Sequence, residues 1–199
     1  MVGIAMITLP FGRENPQSWR CGISGKQSAV VVIASNWNGG EAMGKPYKLL
    51  IFDADGTLRR CTVSGQPCPN KAGEWELMPN VKKIMAEIDW SKTALGIASN
   101  QAGISLGYMD KQTAHQLLCD MVVEATGYFP PTGTIQVCPH GINDGCECRK
   151  PRPGMLDAIM QYWGEYQQNT IYIGDMESDK EAAESAGCDF MWARDFFGW

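Results

Sequence analysis

Asp53 and Asp55, at the end of an apolar run reading Ile51-Phe52-Asp53-Ala54-Asp55-Gly56-Thr57-Leu58, carry the first chemical signal in the chain. Side chains two apart on a strand share a face, so both carboxylates point the same way. Gly56 lets the main chain turn sharply and leaves room for a ligand. Like charges this close repel unless one is protonated or a cation lies beside them, and a hard divalent ion such as Mg²⁺ suits an all-oxygen site. Three later segments supply complementary groups. Ile97-Ala98-Ser99-Asn100-Gln101 brings a hydroxyl and an amide able to hold a phosphoryl oxygen. Cys148-Arg149-Lys150-Pro151 brings a compact positive charge in a proline-stiffened loop, and Ile173-Gly174-Asp175-Met176-Glu177-Ser178-Asp179 brings two more acids. Taken singly, the aspartate pair also reads as a metal-free turn, Ser99-Asn100 as a turn or helix cap, Lys150 as a solvated surface lysine, and Asp179 as a first-turn acid favoured by the helix dipole. In combination, the order acid pair, hydroxyl, lysine, acid pair describes a site for phosphoryl transfer, which asks more for positioning and charge neutralisation than for covalent machinery.

A second constellation lies just before the lysine. Cys138, His140, Cys146 and Cys148 offer three sulfurs and one nitrogen within a single loop, a closed tetrahedral set for a structural Zn²⁺. The other cysteines are scattered. Clustered Cys with His in an intracellular chain points to metal rather than to a disulfide framework. Such a zinc would pin the loop that carries Arg149 and Lys150.

These groups need a scaffold that brings distant segments together, and the pattern provides one. Lys48–Ala54, Thr93–Ala98, Thr134–Cys138 and Thr170–Gly174 read as buried strands, with Asp189–Ala193 as a fifth. Between them lie helices that open at Pro79-Asn80 (Val81, Ile84, Met85 and Ile88 at helical spacing), at Asp110, at Pro153, and ahead of Ala182, Ala183 and Ala186, with Gly187 as the stop. This alternation predicts an α/β fold with a Rossmann-like parallel sheet, right-handed crossovers and helices on both faces. In such sheets the chemistry sits beyond the carboxyl ends of the strands. The stretch between the first two motifs is too short for a large cap domain, so the loop from Arg59 to Met78 and the zinc loop are expected to form the rim. Residues 47–199 make up this domain. Residues 1–46 carry none of the motif residues and read either as an extension of uncertain order or, through the β-branched run Ala29 to Ala34, as an added edge strand. The aromatic terminus, Asp195-Phe196-Phe197-Gly198-Trp199, is expected to pack against the last strand or helix.

Composition narrows the partners. A net charge of −5 and a pI near 5.1 argue against a nucleic-acid backbone as the main partner, since binding there rests on Lys and Arg. No apolar run reaches the length of a membrane span, and the apolar start lacks the basic residues and cleavage site of a signal peptide, so a cytoplasmic location is expected.

The four motifs resemble the signature set of the haloacid-dehalogenase-like superfamily. That resemblance implies Asp53 as a nucleophile forming an aspartyl-phosphate and Asp55 as general acid and then base. It implies Ser99 and Lys150 as the groups that hold the phosphoryl, and a Mg²⁺ site built from Asp53, the Asp55 carbonyl and Asp175, with Asp179 in support. The zinc loop is similar to the branch containing histidinol-phosphate phosphatases and D-glycero-D-manno-heptose 1,7-bisphosphate phosphatases. The short gap between His140 and Cys146 looks like the former, and Pro151-Arg152-Pro153-Gly154-Met155-Leu156 is more similar to the latter. Ala54 stands where those enzymes usually carry Arg, and Ser99 where they usually carry Thr. Arg149 is the candidate contact for an anionic part of the substrate, its planar fork suiting phosphate or carboxylate. The expected activity is a Mg²⁺-dependent phosphomonoesterase acting on a small phosphate ester, either a sugar phosphate or bisphosphate or a histidinol-phosphate-like molecule. The alternatives are a DNA 3′-phosphatase, which calls for a basic groove, and a catalytically silent zinc-stabilised binding module.

Overall fold

Leu49, Leu50, Ile51 and Phe52 are all fully shielded from solvent, which a strand achieves only with cover on both of its faces. The computed structural model, which describes Ile4–Thr8, Ala29–Ile33 and residues 45–199, supplies that cover. The first three strands, β1 (Ile4–Thr8), β2 (Ala29–Ile33) and β3 (Lys45–Tyr47), form a small antiparallel sheet in the order β1-β2-β3. The run at Ala29 thus joins this separate sheet, not an edge of the main one. The remaining residues of 1–44, and with them the expectation about the order of the extension, lie outside the described residues.

The chain then runs through β4 (Leu49–Phe52), a hairpin of β5 (Arg59–Cys61) and β6 (Trp75–Leu77), α1 (Val81–Ala86), β7 (Ala94–Asn100), α2 (Lys111–Thr126) and β8 (Ile135–Cys138). It continues with α3 (Gly154–Trp163), β9 (Thr170–Gly174), α4 (Glu177–Ala186), β10 (Asp189–Trp192) and α5 (Ala193–Phe197). The five-stranded sheet is parallel throughout, in the order β10-β9-β4-β7-β8. Side chains of β4 alternate between two cores. Leu50 and Phe52 join Val81, Met85, Leu118, Met121 and Val122 from α1 and α2. Leu49 and Ile51 join Leu156, Ile159, Ala182 and Ala183 from α3 and α4. The expected strands and helices are therefore present, with helices on both faces and no inserted cap domain among the described residues.

Three local features differ from the sequence reading. The segment expected as a rim loop is tied at its base by the β5–β6 pairing, strands too short to show an alternation. Helix α1 is short, entered through a left-handed Asn80 (φ 62°), and Ile88 packs beyond its end. The aromatic terminus forms a further short helix, α5, whose Phe196 and Phe197 are buried, their ring centroids 5.6 and 6.3 Å from that of Phe52. That contact anchors the end of the chain under the strand that leads to Asp53. Replacing Phe196 with Ala is expected to cost about 3–5 kcal/mol of unfolding free energy. Urea denaturation checks this, and a loss below about 1 kcal/mol would show that α5 is peripheral to the core.

Candidate active site

The chain reverses direction across the sheet between β4 and β9: it first adds β7 and β8 on one side of β4, then β9 and β10 on the other. A crevice opens at the carboxyl ends of the strands at such a point. Register decides what faces it. Phe52 is level with Ile97 and with Ile173, so Asp53, Ser99 and Asp175 emerge from three adjacent strands at nearly the same height. The Asp53 N–H, bonded to the Ile173 carbonyl at 2.9 Å, carries the sheet pairing up to the site itself.

Lys150 reaches this point from the loop before α3. Its ammonium lies 2.5 Å from Asp53 Oδ1 and 2.6 Å from Asp179 Oδ1, and it donates to the Tyr172 hydroxyl at 2.8 Å and the Ala98 carbonyl at 2.9 Å. Burial by itself would lower the Lys150 pKa, but the Asp53 and Asp179 carboxylates outweigh it and raise the value, so the amine stays charged. Asn100 secures the main chain there: its Oδ1 accepts from the Lys150 N–H at 3.1 Å and its Nδ2 donates to the Lys150 carbonyl at 3.2 Å. Asn100, expected to hold a phosphoryl oxygen, thus engages both ends of its amide with the lysine loop.

Asp179 is 1% exposed and fully engaged. Its Oδ2 accepts the N–H groups of Asp175 (3.2 Å) and Met176 (3.0 Å) at the start of α4, while Oδ1 takes Lys150 and the Tyr172 hydroxyl (3.0 Å). Asp179 therefore caps the first turn of α4 and at the same time holds the Lys150 ammonium. Gly174 makes the arrangement possible, since a Cβ there would meet the Asp179 side chain at 2.5 Å. Gly56 (φ +97°) plays the same part for Asp175, whose carboxylate a Cβ would overlap; Asp175 Oδ1 accepts from the Thr57 hydroxyl at 3.1 Å.

Carboxylate oxygens of Asp53, Asp175 and Asp179 all lie within 4.8 Å of one another. Burial pushes the Asp53 pKa up to about 8 against the pull of Lys150, with Asp179 and Asp55 adding to the rise. Burial and then Asp179 raise Asp175 as well. One ammonium among three acids leaves negative charge uncompensated in a shielded place, and hard oxygen donors this close suit a divalent cation such as Mg²⁺. The residues therefore fit that ion.

Asp55 turns the other way. Arg59 donates from Nε to Oδ1 at 2.8 Å, and Gln101 donates from Nε2 to Oδ2 at 2.7 Å and to the Ser99 hydroxyl at 2.8 Å. Sequence reasoning missed Arg59, Gln101, Tyr172 and Thr57. Arg59 and Gln101 had a local signal: one lies four residues beyond Asp55 across a glycine turn, the other directly follows Ser99-Asn100. Tyr172 and Thr57 gave none, because their partners come from other segments.

A cavity of about 830 Å³ opens over this floor, lined by Asp53, Asp55, Ser99 and Lys150 below and by Ser64 to Cys68, Asn70, Leu106, Tyr108 and Met176 at the rim. Glu74 organises the hairpin part of the rim, accepting from Gln66 Nε2 (3.0 Å) and from the N–H groups of Asn70 (2.9 Å) and Lys71 (3.3 Å). Arg149 lines the cavity too, with one guanidinium nitrogen donating to the His140 carbonyl at 3.1 Å.

The four soft ligands converge as a set. His140 Nδ1 is 3.2 Å from Cys148 Sγ and 3.6 Å from Cys138 Sγ, and Cys146 Sγ is 3.6 Å from both Cys138 and Cys148. The three 3.6 Å separations match the edges of a tetrahedron, about 3.3–3.8 Å, around a zinc bound at about 2.0–2.3 Å, and the His140–Cys148 edge is slightly shorter.

The family described as polynucleotide kinase 3 phosphatase matches residues 48–197. The D-glycero-beta-D-manno-heptose-1,7-bisphosphate 7-phosphatase of Pseudomonas aeruginosa is 34% identical over 143 residues, covering 70% of this chain and 77% of that protein. The D-glycero-alpha-D-manno-heptose-1,7-bisphosphate 7-phosphatase of Campylobacter jejuni is 41% identical over 140 residues, covering 70% and 77%. The crystal structure of the D,D-heptose 1,7-bisphosphate phosphatase of B. bronchiseptica, complexed with magnesium and phosphate, superposes with a TM-score of 0.61 at 29% identity, covering 72% of this chain and 78% of that one. Fold, motif order and relatives agree: the chain belongs to the polynucleotide kinase 3 phosphatase family of haloacid-dehalogenase-like proteins, in the heptose-bisphosphatase branch, and is a phosphatase.

Proposed function

We propose that the protein is a Mg²⁺-dependent phosphatase that removes one phosphate from a small sugar bisphosphate through an aspartyl-phosphate on Asp53. The observation that carries this reading is the meeting of Asp53, Asp179 and Lys150 on the floor of one cavity, with an Asp175 carboxylate oxygen within 4.8 Å of those of Asp53 and Asp179. The heptose bisphosphatase relatives, one of them solved with magnesium and phosphate, support the substrate class and the ion.

In this mechanism an Asp53 oxygen attacks phosphorus while Lys150 and the Ser99 hydroxyl hold the phosphoryl oxygens. Asp55 gives a proton to the leaving sugar oxygen and then takes one from the water that hydrolyses the acyl phosphate. Asp53, Asp175 and the Asp55 carbonyl would hold Mg²⁺, which when bound supplies positive charge to the phosphoryl oxygens. Asp179 keeps Lys150 in place, and Arg149 faces the distal anion of the substrate. Cys138, His140, Cys146 and Cys148 would hold a structural Zn²⁺ that fixes the loop bearing Arg149 and Lys150.

The family's description favours one further reading, action on a 3′-phosphorylated polynucleotide. Against it, Arg149 and Lys150 are the only basic side chains lining the cavity among the described residues, and the chain carries a net charge of −5. Phosphate release is to be followed for heptose 1,7-bisphosphate, sugar monophosphates, histidinol phosphate and a 3′-phosphorylated oligonucleotide, with Mg²⁺ or with chelator. Turnover is expected on the bisphosphate with Mg²⁺ only, falling by at least about 10³-fold in Asp53→Asn; preference for the oligonucleotide, or full activity of the variant, would refute the reading.

Gly56→Ala is expected to fold with reduced stability, because its φ of +97° strains any side chain, and to lose about 10²-fold in kcat/KM, with a raised Mg²⁺ requirement, because the added methyl displaces Asp175. Wild-type kinetics in that variant would remove Asp175 from the metal site. The purified protein is expected to contain one zinc per chain by atomic absorption. Cys148→Ser should lose it and lower the Tm by several degrees, since such sites contribute to folding directly. Zinc-free protein of unchanged Tm and activity would contradict the structural role.

A further inference from the structure

Both oxygens of Asp55 are held by side chains that the reaction as written does not use. The turn after β4 brings Arg59 back over Asp55: the N–H groups of Leu58 and Arg59 bond the Ala54 carbonyl, and the Gly56 N–H bonds the Arg59 carbonyl. The Arg59 guanidinium is thereby sunk to 1% exposure, although its neighbour Arg60 on β5 is exposed. Its Nε meets Asp55 Oδ1 at 2.8 Å, and its Nη1 donates to the Leu117 carbonyl of α2 at 3.2 Å. Burying a guanidinium is unfavourable unless its partner is well placed, and an exposed strand residue would have served β5 equally well. Gln101 closes the other side. It too is 1% exposed, it bridges Asp55 Oδ2 and Ser99 Oγ through Nε2, and its Oε1 is one of two buried side-chain polar atoms without a partner among the described residues. An amide so placed offers Asp55 a donor as found and an acceptor after rotation, matching a carboxyl that alternates between anion and acid.

We propose that Arg59 and Gln101 are positioning residues that aim the Asp55 carboxyl at the leaving oxygen, so that they govern the first chemical step according to how much the leaving group needs a proton. This rests on the reading of Asp55 as the general acid. In that step the bond from Asp53 oxygen to phosphorus forms as the bond from phosphorus to the ester oxygen breaks. The electron pair stays on the ester oxygen, which takes the proton from Asp55. Asp55 is left as a carboxylate, held by the Arg59 and Gln101 N–H groups. An alkyl oxygen cannot leave well without that proton, whereas a nitrophenolate can.

The test is single-turnover release of the leaving group from a sugar phosphate and from p-nitrophenyl phosphate, compared in wild type, Gln101→Leu, Arg59→Met, Arg59→Lys and Asp55→Asn. Gln101→Leu and Arg59→Met should slow the sugar phosphate by roughly 10²-fold, at least tenfold more than the aryl phosphate, with partial recovery in Arg59→Lys. Equal losses on both substrates, or none on either, would overturn the proposal while Asp55→Asn still discriminates between them. Absence of discrimination in Asp55→Asn would overturn the reading of Asp55 as the acid, and this proposal with it. Gln101→Leu leaves the buried ion pair intact, so it decides the matter even if Arg59→Met does not fold.

Discussion

A single buried ammonium organises this protein. Lys150 sits between Asp53 and Asp179 at 2.5 and 2.6 Å, and nothing about the stability of the fold requires a charge there. Buried ion pairs barely repay their desolvation, and removing one partner of such a pair costs about 3–5 kcal/mol. The surrounding structure is accordingly built to satisfy the ammonium. The Ala98 carbonyl closes one side, the Tyr172 hydroxyl another, and the Asn100 amide clamps the lysine's own main chain. In the proposed reaction such a group is explained by what it does to its neighbours: it would keep Asp53 aligned and place positive charge beside the phosphoryl group.

The rest of the architecture follows from the need to bring that lysine to the end of β4. Parallel pairing sets Asp53, Ser99 and Asp175 at one height, and glycines at 56 and 174 let the acids approach one another. Lys150, unlike Asp53, Ser99 and Asp175, does not come from the end of a sheet strand. Its loop lacks regular structure, and in the proposed reading a zinc held by the Cys and His cluster that ends two residues before it would supply the rigidity that hydrogen-bonded secondary structure provides elsewhere. The acidic side chains around it then leave an excess of negative charge, which suits a divalent cation beside the ammonium. Opposite them, Arg59 and Gln101 hold Asp55 apart from this cluster. The two acids of one motif are thereby given different surroundings by different neighbours.

Much of this was legible in the sequence because the signals were local. The apolar runs ending in Asp53, Ser99 and Asp175 announced strands whose ends meet at one crevice, Asp110 and Gly187 marked helix boundaries where the structure has them, and the spacing from Cys138 to Cys148 announced a loop whose four side chains converge. What stayed hidden depended on contacts between distant segments. Tyr172 looks like an ordinary strand aromatic until β9 is placed beside β4, and only then does its hydroxyl meet Lys150 and Asp179. Arg59 is the exception: its spacing of four from Asp55 was a local signal, masked by the exposed Arg60 beside it. Strands β5 and β6, three residues each, are too short for periodicity to appear, and α5 owes its existence to the burial of Phe196 and Phe197 against Phe52. Asp179 carried two compatible signals, and in the fold it both caps α4 and touches Lys150.

The central claim is that Asp53 itself becomes phosphorylated. Rapid acid quench during turnover, followed by peptide mapping, tests it most directly. A phosphoryl group is expected on the peptide containing Asp53, formed and lost at rates consistent with kcat and absent from Asp53→Asn. Turnover with the peptide never modified, or with the phosphoryl group on another residue, would contradict it.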